Sequence, residues 1–279
     1  MLGKRRMFKR LKWILVIGLL TYIYYPTFAW MVDRWMARDS YFTHGFLIPL
    51  VSLYWVFKKR SELASNGHQS EPAGLVILLI GALVQLFSSV FRVYFISAIS
   101  FVFVLFGIVY FAFGKKVIRA VWFPIAFLFL MIPMPLLIIS EVTLRMKFFV
   151  SEISTFLLNG MGMKAVREGS YIYTTHAVCL VGDPCSGLRS FLAFLCLGFV
   201  FAYGTKLVLW KKMVLVGTGL PLAIVSNVLR VFVMTLVGEI YGMELSASHI
   251  VHDGGGILAF VFALICFLIL RQKLEGIRA

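Results

Sequence analysis

The chain has 279 residues, of which 61% are hydrophobic, 16% aromatic and only 14% charged. This proportion of apolar side chains excludes a water-soluble domain, because a single core of this size could not bury them. The net charge of +15 does not indicate a nucleic-acid partner, because the basic residues cluster in the segments between apolar runs. We therefore expect an all-α integral membrane protein.

Apolar runs long enough for a membrane-spanning helix recur along the chain. About 20 helical residues cross the hydrocarbon layer. We predict about eight transmembrane helices, near residues 12–31, 42–57, 73–90, 94–113, 117–137, 187–204, 213–236 and 254–270. The prediction is a single polytopic domain over residues 1–279, with a two-helix front and hydrophilic linker at 1–71 and a six-helix part at 72–279.

The charges follow this topology. With a cytoplasmic N-terminus, 18 of the 27 Lys and Arg residues fall in inner segments, whereas 9 of the 12 Asp and Glu residues fall outside them. The positive-inside rule then places both termini in the cytoplasm. We expect the protein in the cytoplasmic (inner) membrane.

The segment between spans five and six is expected to stay on the outer side. "LLIISEVTLRMKFFVSEISTFLLNGMG" alternates apolar and charged positions at helical spacing, which predicts a helix lying in the outer interface. "AVREGSYIYTTHAVCLVGDP" is rich in β-branched and aromatic residues between turn residues, which favours a short hairpin or extended segment.

Cys185 stands at the predicted outer start of span six. A thiol in the first turn of a helix meets unpaired backbone N–H groups and the positive end of the helix dipole, both of which favour thiolate. Ser186 and Gly187 leave the approach uncrowded, and Arg189 adds positive potential one turn on. Two alternatives stay open: a small structural residue, or a disulfide with Cys179.

Arg230 lies within span seven, eight residues before Gly238. An arginine at this depth costs about 2.5–3.5 kcal/mol on insertion scales, so it is expected to face other helices or a wet cavity. Ser226 and Asn227 lie one turn earlier and continue a small, polar stripe through Ala223 and Gly219. Snorkelling of Arg230 to the headgroups is the alternative.

Histidines lie near the same predicted outer surface. His252 precedes three glycines, which are costly at a helix start and indicate that backbone or substrate passes close by. His249, three residues earlier, makes an H-x-x-H pair, but no acidic residue completes a metal site of the usual pattern. His44 enters span two from the outer side, either as a capping residue or as part of the site. We expect neither metal nor cofactor.

These residue types fit covalent acyl transfer. Cys185 would attack a peptide carbonyl, His252 would carry the thiol proton to the leaving amine, and Arg230 would stabilise the oxyanion or orient the pair. Two other classes stay open. One is a transporter or lipid-binding protein that uses Arg230, Asn227 and His252 for an anionic group, and the other is a metalloprotease that uses three histidines.

Five separated segments resemble the exosortase and archaeosortase family of membrane transpeptidases. They are "SYFTHGFLIPL", "MIPMP", "DPCSGLRS", "SNVLRVF" and "HDGGGILAF", in the family's order and over nearly the whole chain. "CSGLRS" with a downstream N-x-x-R and H-x-x-x-G is the specific combination. The resemblance implies that Cys185, Arg230 and His252 are the catalytic residues, since His252 rather than His249 has a glycine, Gly256, four residues on.

The resemblance also implies a substrate and an acceptor. Members of the family cut a C-terminal sorting signal, of PEP-CTERM type in the bacterial form that accompanies exopolysaccharide production. They pass the new C-terminus to a lipid or other membrane-linked acceptor. The partners implied are therefore membrane-anchored proteins with such a signal, and the active site faces the outside or periplasm. Hydrolysis and transpeptidation are not distinguished by the residues themselves.

Overall fold

The computed structural model describes residues 2–37, 40–65, 70–183, 186–242 and 249–276, and the side chains among them other than those of residues 2–10, 64, 65 and 249–253. Within these residues the fold is helical apart from one small sheet. The α-helices are α1 (Leu2–Met36), α2 (Leu47–Lys58), α3 (Arg60–Ser65), α4 (Pro72–Phe91), α5 (Tyr94–Phe127), α6 (Leu136–Gly160), α7 (Leu188–Gly204), α8 (Leu209–Gly217), α9 (Gly219–Tyr241) and α10 (His249–Gly276).

Among the described residues, five helical segments are long and apolar enough to cross a membrane. They are Leu11–Met36, Pro72–Phe91, Tyr94–Met131, Leu209–Tyr241 and Gly254–Gly276. A further apolar helix, α7, has 17 residues. The expectation of an all-α integral membrane protein is therefore confirmed, whereas the eight spans and the cytoplasmic termini stay predictions.

The chain divides into two compact units, Met1–Met134 and Pro135–Ala279. The first contains α1 to α5, and the second contains α6 to α10 with the sheet. The proposed division into residues 1–71 and 72–279 within a single polytopic domain stays a prediction.

In the first unit, the chain reverses direction within α5. The Trp30 ring stacks on Tyr94 at 6.0 Å between centroids, and Trp35 Nε1 donates a hydrogen bond of 2.9 Å to the Met131 carbonyl. Tyr94 and Met131 therefore both lie near the end of α1, although a straight helix would separate them by about 55 Å. Gly114, with φ 80° and ψ −176°, is the break. The reversal falls between predicted spans four and five.

Buried polar side chains join three helices of the first unit. The Gln85 side-chain oxygen on α4 accepts hydrogen bonds from Ser97 and Ser100 on α5, at 2.6 and 3.0 Å. These hydroxyls in turn meet Thr27 and Tyr24 on α1, at 2.6 and 3.0 Å. In lipid such groups need internal partners, so the network fixes how the three helices pack.

In the second unit, α6 packs along α9. Val150 and Leu158 on α6 are fully buried in a cluster with Val228 and Val231 of α9 and with Ile172. The predicted helix of this segment is confirmed as α6, and its position in the membrane interface stays a prediction.

A three-stranded antiparallel sheet follows α6. Its strands are β1 (Val166–Glu168), β2 (Tyr171–Tyr173) and β3 (Val178–Leu180), in that order, so the predicted hairpin is confirmed. The Glu239 carboxylate, in the last turn of α9, accepts hydrogen bonds from the Thr174 hydroxyl at 2.6 Å and the His176 backbone N–H at 2.9 Å. This contact ties the β2–β3 turn to α9.

Helices α7, α9 and α10 form the remaining core of the second unit. Phe194 of α7 is fully buried against Ala223 of α9 and Ala263 of α10, and it stacks on Phe260 at 5.0 Å. A Cβ at Gly219 would lie 3.2 Å from the Phe194 backbone carbon. The small stripe predicted on span seven is therefore a close packing surface.

Candidate active site

Ser186 and Gly187, the described residues after Cys185, lead directly into α7. Cys185 itself lies outside the described residues. The Ser186 backbone N–H donates a hydrogen bond of 3.1 Å to the Asp183 carbonyl, and Ser186 is fully buried. Helix α7 begins at Leu188, because Gly187 adopts φ 81° and so cannot belong to the helix. The expectation that Cys185 lies in the first turn of a helix concerns a residue outside the described ones, and it stays a prediction.

Gly187 packs directly against Asn227 of α9. A Cβ at Gly187 would lie 3.2 Å from the Asn227 Cβ and 3.3 Å from its Cγ. Asn227 is itself buried. Glycine is required here by the close approach and by the left-handed φ. The contact joins the "CSGLR" and "SNVLR" segments.

Arg230 reaches from α9 to the backbone of α10. A Cβ at Gly256 would lie 3.1 Å from the Arg230 Cζ and 3.3 Å from its Nη2. The Arg230 Nε is buried. The guanidinium therefore faces a neighbouring helix, α10, whereas its depth relative to the headgroups stays a prediction.

Both histidine positions near the site belong to α10, which begins at His249. Their side chains lie outside the description. His252 precedes Gly256 by four residues, so the two positions share one face of the helix. At Gly254 and Gly255 a Cβ would meet nothing within 4 Å among the described residues. Among the described residues, the close contact at these glycines is the one between Gly256 and the Arg230 side chain. The expected approach of backbone or substrate stays a prediction.

Arg189 and His44 are the remaining residues predicted to support the site. Arg189 is exposed on the first turn of α7. His44 belongs to the first unit, in a 3₁₀ turn over Thr43–Phe46, where its ring hydrogen-bonds the Leu130 carbonyl and lies 5.9 Å from the Phe42 ring.

Lys147 is a nearby cation that sequence reasoning did not single out. Its Nζ lies 2.5 Å from Asp183 Oδ1, and its side chain is 18% exposed against 62% for Asp183. The ion pair connects α6 to the turn that precedes Cys185. The two residues are 36 positions apart in the chain, so their contact could not be inferred from the sequence.

Cys179 is a free thiol on β3. Burial raises the pKa of the Cys179 thiol, and a side-chain hydrogen bond with Thr235 lowers it by less. A buried thiol of raised pKa is a poor nucleophile. The alternative of a disulfide between Cys179 and Cys185 involves a residue outside the described ones and stays open.

The described side chains contain no group of three His, Cys, Asp or Glu residues that could hold a metal ion. The side chains of His249 and His252 are not among the described side chains.

Comparison with models of known families gives a match over most of the chain. The family model described as transmembrane exosortase matches residues 30–269, which is most of the chain. Comparison with curated proteins and with solved structures gives no match.

Proposed function

The chain belongs to the transmembrane exosortase family, and from this premise we propose that it is a cysteine transpeptidase or protease of the membrane. It cleaves C-terminal sorting signals of PEP-CTERM type from exported proteins. It then transfers the new C-terminus to a lipid or other membrane-linked acceptor. Cys185, Arg230 and His252 are the proposed catalytic residues.

One observation supports the proposal most: α9 contacts a glycine of the "CSGLR" segment and a glycine of the "HDGGG" segment. Asn227 meets Gly187, and Arg230 meets Gly256. Residues three apart lie on one side of a helix. Cys185 precedes Gly187 by only two residues, which limits its Cα to within about 7.6 Å of that glycine. His252 shares the Gly256 face of α10.

In the proposed reaction the Cys185 sulfur attacks the scissile carbonyl carbon while His252 accepts the thiol proton. The new C–S bond gives a tetrahedral oxyanion, which Arg230 stabilises by charge and hydrogen bonding. The C–N bond then breaks, and His252 gives its proton to the leaving amine. The acceptor nucleophile attacks the resulting thioester, its proton passes through His252, and the sulfur leaves to regenerate Cys185.

The proposed orientation places this chemistry on the outer side of the cytoplasmic membrane. A sorting signal whose helix spans the bilayer presents its scissile bond at that surface, and its basic tail stays inside. The partners are then a membrane-anchored protein substrate and a membrane-linked acceptor.

The test uses cells that produce the protein with a reporter ending in a PEP-CTERM-type signal. In the Cys185→Ala variant the reporter is expected to stay uncleaved and cell-associated while the variant accumulates in the membrane. Cys196→Ala, which alters a buried thiol of α7, is the matched control and should process normally. Unchanged processing by Cys185→Ala would refute the proposal.

A further inference from the structure

One edge of strand β3 is hydrogen-bonded to β2. The other edge has no strand beside it among the described residues. In the β2–β3 pair, Cys179 lies opposite Ile172. The Thr174 N–H donates to the Ala177 carbonyl, and the Val181 N–H donates to the Ser170 carbonyl. In an antiparallel pair the residues that exchange backbone hydrogen bonds alternate. Ala177, Cys179 and Val181 therefore point their backbone groups at β2.

The backbone N–H and C=O groups of Val178 and Leu180 consequently point to the other edge. The sheet order is β1-β2-β3, so β3 has no strand beside it there among the described residues. Val178 is 39% exposed and Leu180 52% exposed. An edge of this kind is a template for another extended chain.

The side chains on the exposed sheet face suit a peptide. The register places Tyr173 beside Val178 and Tyr171 beside Leu180, and the two tyrosine rings stack at 6.1 Å. An added strand would pair its backbone with β3 and would place alternate side chains beside this apolar, aromatic face. An extended peptide repeats its backbone donors and acceptors at the two-residue spacing of Val178 and Leu180, which favours a peptide over a lipid headgroup.

The chain after β3 runs toward the proposed nucleophile, which favours the substrate as the occupant of this edge. Val181 is fully buried, and Asp183 is held to α6 by Lys147. Cys185 follows Leu180 by five residues, an extended length of about 17 Å at most. A peptide paired with β3 therefore lies near the proposed nucleophile, since only a few residues of chain separate Leu180 from Cys185.

We propose that the free edge of β3 binds the extended segment of the substrate next to its scissile bond, by β-strand addition. This inference rests on the proposed function for the identity of the peptide. It predicts recognition through the substrate backbone, with side-chain preferences at alternate positions.

The first test places a photo-crosslinking amino acid at Leu180 in the Cys185→Ala background, with the sorting-signal reporter as probe. Val166, exposed on the same face but on the far strand, is the control position. The reporter should crosslink at Leu180 and not at Val166. Crosslinks at both positions or at neither, or only to lipid or to a second copy of the chain, would overturn the proposal.

The second test is Leu180→Pro, which removes an N–H that faces the free edge and leaves the bonds to β2 intact. Processing of the reporter should fall about tenfold through a raised KM, as expected for a lost backbone hydrogen bond. Leu180→Ala keeps that N–H and should fall less. Equal effects of the two variants would contradict the strand-addition model. Failure of Cys185→Ala to block processing would instead refute the proposed function.

Discussion

The Arg230 guanidinium lies so close to Gly256 that a single added methyl group would reach 3.1 Å from its Cζ. That distance is below ordinary van der Waals contact, so one of the two must move. The relation gives a way to displace the arginine without removing it.

Gly256→Ala is expected to lower reporter processing about tenfold while leaving thermal stability unchanged or raised. Alanine in a helix is favoured over glycine by about 1 kcal/mol, but the methyl group pushes the guanidinium from its place. Processing rate and thermal unfolding of the purified protein measure the two effects. Gly254→Ala and Gly255→Ala, where a Cβ meets nothing described within 4 Å, should gain stability and keep activity. A Gly256→Ala variant with full activity would show that the arginine position is not critical.

Gly187→Ala should both destabilise the protein and reduce processing. The residue adopts φ 81°, which costs a non-glycine residue about 1–2 kcal/mol, and its Cβ would press on Asn227 at 3.2 Å. Gly162, at φ 88° with nothing described within 4 Å, separates the two causes. Gly162→Ala should lower the melting temperature similarly but should not affect processing. Equal activity losses in both variants would assign the effect to backbone strain alone.

Removal of the Lys147–Asp183 ion pair should loosen the turn that precedes Cys185. Lys147→Met is expected to reduce processing several-fold, with a coupling to Asp183→Asn of about 0.5–1 kcal/mol in a double-mutant cycle of unfolding. The exchange Lys147→Asp with Asp183→Lys should restore part of the activity. Arg145→Met breaks the exposed Arg145–Glu141 pair on the same helix and serves as the control. An absence of coupling between Lys147 and Asp183 would show that their ion pair does not hold the chain before Cys185 in place.

Alkylation of Cys179 should be slow at neutral pH and should accelerate only above pH 9. Burial raises the pKa of this thiol above its ordinary value of 9.0, so the folded state favours the protonated form. The stability that this provides is present below pH 9 and is lost as the pH rises through the folded-state pKa. Mass spectrometry of the native protein after maleimide treatment across pH 7–10 measures the reactivity. Cys179→Ala should process the reporter normally, whereas a large change in processing would point to a role for Cys179.

Features that depend on local pattern were predictable. The stripe of Gly219, Ala223 and Asn227 follows helical spacing, so its close packing could be inferred from the sequence. Helix α6 and the hairpin after it were likewise indicated by periodicity and by turn residues.

Features that depend on backbone conformation or long-range contact were not predictable. The predicted span six, 187–204, begins one residue before α7, but the apolar run carries no sign that Gly187 has a left-handed backbone conformation. Three consecutive glycines lie near the start of α10, and the sequence does not indicate which of them contacts Arg230. The Lys147–Asp183 pair joins a helix to a distant turn, and Lys147 lies outside the five segments that carry the family resemblance.

The central claim is tested most directly by mass spectrometry of the mature C-terminus of the reporter, made in cells with the native protein or with Cys185→Ala. The account predicts a shortened reporter with an added lipid or amine group in the first case and a full-length reporter in the second. The same full-length C-terminus in both strains, or the same shortened one, would contradict it.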